Sequence, residues 1–271
     1  MSFLIRAARR RRMAGGGGSP SLSAQVEAWL SGASGYALDP SDLTLLDQIS
    51  TGGTPVVSAS DPVGRYRTKP WGNAASVDFI QPTAGARPAW NGAGGLSWDG
   101  VDDLMNIQPG AGKAVLNGAA AATWAVRFKR SVASAGIIGF FSWATNATTM
   151  RLEIDLSAGG GFNVIVRRSD GVAGNTYGSG GGLIALNTDY TLIVTIDFTG
   201  ANNIIATLND VERINTALTD GTGPCSSTDS NTVRLAHSSG AIVSGRQVVA
   251  AKLADAAAKT MLKGWLEEVT L

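Results

Sequence analysis

Between Trp124 and Leu208 the chain repeats one pattern: short runs with an apolar residue at every second position, each cut off by Gly, Ser, Thr, Asn or Asp. In TWAVRFKR, Trp124, Val126 and Phe128 fall on one side and Arg127 and Lys129 on the other. Successive side chains of a strand point to opposite faces, so this alternation predicts half-buried β-strands. Similar runs are GIIGFFSW, MRLEIDL, GFNVIVRR, YTLIVTIDF and NIIATLND. Phe162, Val164 and Val166 alternate with Asn163, Ile165 and Arg167, while Leu192, Val194, Ile196 and Phe198 share a face. Asn209 and Asp210, which both tolerate positive φ, mark a tight hairpin turn in LNDVERI. Many short strands at this spacing predict an all-β antiparallel sandwich or barrel.

Composition agrees. Hydrophobic residues make up 44% of the 271 residues, charged residues only 16%, and 35 glycines punctuate the apolar runs. The length suits one main domain with an appendage. A net charge of +1 offers no overall electrostatic attraction to nucleic acid. Cys225 is the only cysteine, which excludes an intrachain disulfide and a Cys₄ or Cys₂His₂ zinc site; it reads as a small loop residue. No apolar run approaches the roughly 20 residues of a membrane-spanning helix, so no membrane span is expected.

Residues 1–20 differ from the rest. Phe3, Leu4, Ile5 and Arg6 precede the arginine run Arg9, Arg10, Arg11 and Arg12, and Gly15–Gly18 follow as a flexible tether. A secretory signal needs an apolar stretch after the arginines, where glycines stand instead. The segment reads as an anchoring arm, its apolar residues set in a groove of a partner subunit and its arginines meeting carboxylates. Phosphate contact and a plain solvated tail are the competing readings.

Residues 21–271 read as the folded domain. Over residues 21–95, prolines and glycines interrupt short apolar segments, which predicts one strand at Val26–Leu30 and then long loops wrapping the sandwich. Residues 253–268 change period: Leu253, Ala257, Met261, Leu262, Trp265, Leu266 and Val269 form a helical stripe capped by Asp255.

Four segments in this order carry a resemblance: Asp61–Trp90, with its Gly-Asn turn and Arg-Pro pair; GLSWDGVDDLMNI, residues 95–107; LNDVERI, with Asp210 where glycine is usual; and AKLADAAAKTMLKGWLEE. Together they resemble laminin-G-like or concanavalin A-like jelly rolls, of the kind found in structural proteins of tailed bacteriophages. The resemblance spans about residues 25–271. It implies an antiparallel concanavalin A-like sandwich with a short C-terminal helix, and a virion fibre, spike or decoration role. That role implies assembly in a host cytoplasm, other virion subunits as partners through the arm, a homo-oligomeric or symmetric arrangement, and a host glycan as ligand. A fold of this kind hosts many functions, so activity has to be argued from the site.

RLEIDLS tests one such activity. Related β-glucanases place acids at alternate strand positions because retaining hydrolysis needs two carboxyl groups about 5–5.5 Å apart. Glu153 and Asp155 occupy two of these positions, but Ser157 stands at the third. The pair is therefore expected on a solvated polar face, and no catalytic residue is assigned. GAGKAV, residues 110–115, lacks the phosphate-loop glycine and the final Ser or Thr, and reads as a loop. His237, the single histidine, lacks a nucleophile context and reads as structural. Asp99, Asp102 and Asp103 are candidate Ca²⁺ ligands but lack the EF-hand spacing, so a turn is the simpler reading and no metal or cofactor is expected. Candidate glycan-stacking aromatics are Trp71, Trp90, Trp143, Tyr66 and Tyr177, with Glu153 and Asp155 as polar partners.

Overall fold

A computed structural model describes residues 19–69, 71, 77–107, 113–133, 136–143, 149–227, 232–235 and 241–271. In chain order the first strands are β1 (Gly35–Leu38), β2 (Leu46–Asp47), β3 (Arg65–Arg67), β4 (Asp78–Ile80), β5 (Ala89–Trp90), β6 (Leu96–Trp98) and β7 (Met105–Ile107). Then follow β8 (Ala121–Arg130), β9 (Gly136–Trp143), β10 (Arg151–Leu156), β11 (Phe162–Arg167), β12 (Asn175–Gly178), β13 (Asp189–Asp197), β14 (Asn203–Leu208), β15 (Val211–Ala217), β16 (Thr232–Leu235) and β17 (Ile242–Ala250). Helices α1 (Leu22–Leu30), α2 (Lys113–Leu116) and α3 (Ala256–Glu267), with 3₁₀ turns at Leu43–Leu45 and Ala84–Ala86, complete the described elements.

Every named pairing is antiparallel, and the strands divide into two sheets. The eight-stranded sheet runs β15-β14-β13-β8-β17-β6-β5, and β1 also pairs with β17. β6 takes Ile242–Ser244 and β1 takes Gln247–Ala250, so two short strands share one edge of a long one. The nine-stranded sheet runs β12-β11-β10-β9-β16-β7-β4-β3-β2. Strands distant in sequence lie side by side in both, as expected for a jelly-roll sandwich.

The alternation of the sequence becomes the core. Trp124, Val126 and Phe128 of β8, Leu192, Val194 and Ile196 of β13, and Phe162, Val164 and Val166 of β11 all meet between the sheets, with Phe198 just beyond β13. Burying a side chain of this size contributes about 1.5–3 kcal/mol. The Asn209–Asp210 turn joins β14 and β15 with φ of 46° and 65°, the positive pair that its residue types allow. Cys225 lies in a buried loop, where desolvation pushes its thiol up to about 12.

The outer face of the eight-stranded sheet has a second core. Ala37, Ala125, Ile193, Val248 and Ala250 lie beneath Val26 and Leu30 of α1 and Ala258, Leu262, Trp265 and Leu266 of α3. Three of the five sheet residues are alanines, and small side chains let helices settle close to the strands. Asp255 caps α3 as expected, its Oδ1 accepting the Ala258 N–H at 2.8 Å.

Three expectations are corrected. Val26–Leu30 belongs to a helix: Ser21 caps it, and Leu22, Val26 and Leu30 recur every four residues. A separation of four fits a period of two as well as one helical turn, so the short run was ambiguous until α3 supplied a surface to cover. Residues 21–95 do not simply wrap the sandwich; they supply β1 to β5 of the two sheets. Finally, α3 begins at Ala256 and buries Ala258, whereas Leu253 and Ala257 are exposed. Of the arm, residues 1–20, all but Ser19 and Pro20 lie outside the described residues, as does His237.

Candidate functional site

Residues opposite one another in an antiparallel sheet share a face, so the strand registers can be joined end to end. Asp47 stands opposite Arg65, Arg65 opposite Ile80, Ile80 opposite Asn106 and Asn106 opposite Arg234. Arg234 stands opposite Phe140, Phe140 opposite Glu153, Glu153 opposite Ile165 and Ile165 opposite Thr176. A single row thus crosses all nine strands. Their neighbours along each strand, including Leu46, Tyr66, Phe79, Ile107, Val233, Ile154 and Val164, are buried between the sheets, so this row faces outward. At about 4.8 Å per strand the row spans roughly 40 Å. No helix forms a second core over this face among the described residues, unlike the outer face of the other sheet.

The face is polar and internally braced. Arg65 forms an ion pair with Asp78 at 2.6 Å, and Arg67 one with Asp47. Arg151 places Nε and Nη2 on one oxygen of Glu153, at 2.8 and 2.6 Å. Asn163 Nδ2 donates to Asp155 Oδ1 at 2.7 Å. Burial holds the Arg234 guanidinium below its usual pKa range. The Asn106 Oδ1 atom is buried and accepts no hydrogen bond from the described residues.

Glu153 corrects an expectation. It does lie on the outward face, yet only 2% of it is exposed. Ile165 and Phe140 flank it in register, and the Arg151 side chain is paired to it. Burial raises its pKa, and the Arg151 charge opposes that rise. The two acids do not form a matched pair: Glu153 is tied to Arg151 and Asp155 to Asn163. Ser157, at the third position, accepts the Gly161 N–H at 3.0 Å in the turn after β10.

The aromatic candidates are scattered. Tyr66 is 2% exposed and packs between the sheets, with its phenol pKa raised first of all by burial. Tyr177 is half-buried against the same core, and its hydroxyl accepts the Thr219 N–H at 3.1 Å. Trp90 also packs there, with a buried Nε1 that meets no acceptor among the described residues. Trp71 lies on the helical side, its ring 5.6 Å from that of Trp265 and Lys69 Nζ 5.3 Å above it. Trp143 belongs to β9, but its side chain is outside the described residues. Tyr66, Trp71, Trp90 and Tyr177 therefore do not form one stacking platform. The outward row depends instead on Asn106, Arg234, Ile165 and Thr176, which carry no motif; only the parity of each short strand could have found them.

Asp99, Asp102 and Asp103 do come together, with carboxylate oxygens within 4.8 Å of one another. They are arranged as a turn. Asp103 Oδ2 accepts the Asp99 N–H and Asp99 Oδ1 the Val101 N–H, both at 2.8 Å. Burial, followed by its two acidic neighbours, pushes Asp103 up to about 6. In GAGKAV, Lys113–Leu116 forms one helical turn instead of a loop, with Val115 and Leu116 in the core, while residues 110–112 lie outside the described set.

A cleft of about 430 Å³ opens near the ends of β8 and β17, lined by Ser31–Ser34, Asn117–Ala120, Ala251 and Lys252. Lys252 already donates to the Trp29 carbonyl at 2.7 Å and lies 4.8 Å over its ring. The rest of the lining is mainly small side chains and backbone, with less chemistry to offer than the outward row.

No family model matches the chain, and no curated protein matches it. Among solved structures it is similar to the binding domain of botulinum neurotoxin DC in complex with SialylT, at 11% identity over 71% of this chain and 49% of that one, with a TM-score of 0.48. A second likeness is the CBM40 of the Ruminococcus gnavus IT-sialidase bound to alpha2,3 sialyllactose, at 11% identity over 54% and 83%, TM-score 0.44. A third is the leech intramolecular trans-sialidase, at 12% identity over 60% and 27%, TM-score 0.46. The chain spans about half the length of the toxin domain it matches. These likenesses are loose, and the fold rests on the strand order itself.

Proposed function

We propose that this chain is a non-catalytic binding and display module whose outward row on the nine-stranded sheet holds an extended polar ligand of the glycan class. The carrying observation is the contrast between the two outer faces: helices seal one, while a row of amide, guanidinium, hydroxyl and aliphatic groups crosses the other. A row roughly 40 Å long suits several sugar rings laid across the strands. The bracing of Glu153 and Asp155 supports binding in place of turnover, because neither acid is paired with the other for hydrolysis.

The basic arm supports a finer reading, in which the module sits on a virion as a fibre, spike or decoration protein assembled in the host cytoplasm. The arm then seats in another virion subunit, and copies are arranged symmetrically. A secreted or surface carbohydrate-binding module is the alternative, and a requirement for the arm in assembly separates the two.

A glycan array probed with the folded chain tests the ligand class. Asn106→Ala and Asn163→Ala should each weaken any hit by about fivefold or more, the worth of a lost hydrogen bond. An array without hits, or hits that ignore both substitutions, would remove the outward row as the site. Hydrolysis of a bound glycan that disappears in Glu153→Gln would replace binding by catalysis.

A further inference from the structure

Two Asn-Gly pairs occur in the chain, Asn91–Gly92 and Asn117–Gly118. Such pairs are open to intramolecular chemistry because glycine has no Cβ to hinder approach of its backbone nitrogen to the asparagine side chain. The fold treats the two pairs differently.

Asn91 begins the turn between β5 and β6. Its Oδ1 accepts two backbone N–H groups, from Ala93 at 2.9 Å and Gly95 at 3.0 Å. Both partners are donors, so the oxygen and not the amide nitrogen faces them. Two aligned N–H groups on one carbonyl oxygen stabilise negative charge that develops there, as in an oxyanion hole. Gly92 has φ of 83°, and its own N–H makes no hydrogen bond among the described residues. Asn91 is partly exposed, so water reaches it.

At Asn117 the arrangement is reversed. The Gly118 N–H donates to the Cys225 carbonyl at 2.6 Å, which occupies the nitrogen that would attack. Asn117 Oδ1 accepts the Ser227 N–H at 2.9 Å.

We infer that Asn91 is a site of spontaneous, fold-assisted deamidation and that Asn117 is protected. The Gly92 nitrogen gives up its proton to solvent and attacks Asn91 Cγ, and the electron pair of the C=O bond moves to Oδ1. The Ala93 and Gly95 N–H groups hold that oxyanion. Nδ2 takes up a proton from solvent as collapse re-forms the C=O bond and breaks Cγ–Nδ2, so ammonia leaves and a succinimide remains. Water then adds to one of the two imide carbonyls and opens the ring to aspartate or isoaspartate. No oxidation occurs. An aspartate keeps both N–H contacts and strengthens them with its charge. An isoaspartate lengthens the backbone in a turn where Gly94 already packs against Val269, so it loosens the C-terminal segment.

The test is a timed incubation of the full chain at mildly alkaline pH, with peptide mapping and isoaspartate detection, in buffer and in denaturing urea. Asn91 should convert in the folded chain at least as fast as in urea. Asn117 should convert about tenfold more slowly folded than unfolded. A folded rate at Asn91 below its unfolded rate, or equal folded rates at the two sites, would overturn the inference. Asn91→Asp supplies an independent readout: an unchanged or raised midpoint of thermal unfolding supports the anion-stabilising pair, and a lowered one contradicts it.

Discussion

Arg246 illustrates how much one side chain organises. It sits at the bulge between Ser244 and Gln247, where β17 changes neighbours from β6 to β1. Nε donates to Asp39 at 3.1 Å, while Nη1 donates to the Trp265 carbonyl at 2.6 Å and to Glu268 at 2.7 Å. Its guanidinium also lies 4.8 Å from the Trp265 ring. The arginine therefore joins sheet, connecting loop and the C-terminal end of α3, where a cation is favoured. Arg246→Met would leave buried Asp39 with Lys69 at 3.4 Å as its remaining cation among the described residues. Urea unfolding should show a loss of about 3 kcal/mol, and Arg246→Lys should recover little because an ammonium cannot reproduce the fork. Asp103 predicts a pH dependence. Its folded value of about 6 stands above the ordinary 3.8, so protonation favours the folded chain. Its contribution is complete below pH 3.8 and is lost as pH rises through 6. Asp103→Asn should stabilise the chain at pH 8 by on the order of 1–2 kcal/mol and converge with the unaltered chain in acid. A Ca²⁺ site would act oppositely, holding Asp103 ionised. Calorimetric titration with Ca²⁺ at neutral pH is expected to give no heat.

At the scale of elements, turns and caps follow residue chemistry closely. Asp210 holds φ of 65°, a conformation glycine adopts without a Cβ penalty. Its ion pair with Lys263 is largely exposed and contributes little. Asp210→Gly should therefore raise stability by about 0.5 kcal/mol, read as a higher urea midpoint at constant slope. Asp255→Ala removes the cap of α3 and should cost about 1 kcal/mol. The elements that escaped a sequence reading are short. β2 and β5 have two residues each and β3, β4, β6 and β7 three, too few to display a period. Such strands exist because longer neighbours supply their hydrogen bonds. β15, a seven-residue edge, shows the other side of this constraint. A bulge near Ala206 and Thr207 and the exposed Glu212 and Arg213 discourage pairing with another chain.

For the whole molecule, the arm and the sandwich are expected to be separable. Deleting residues 1–18 should leave the unfolding free energy unchanged within about 0.5 kcal/mol, because among the described residues both cores are built from residue 22 onward. Under the proposed anchoring role, the truncated chain should remain soluble and fail to join a virion assembly; incorporation without the arm would contradict that role. The sequence by itself determined the material of the fold: strands β8, β10, β11, β13 and β14 with their alternating apolar residues, the tight turn at Asn209–Asp210 and the capped helix α3. Each is encoded within a few neighbouring residues, by the period of a strand or helix and by local hydrogen bonding. Only the tertiary structure decided that Val26–Leu30 is helical, that Glu153 is buried, and that residues from Asp47 to Thr176 form one row. Those outcomes depend on strand order and register, which bring together residues more than a hundred positions apart, and no local period contains that information.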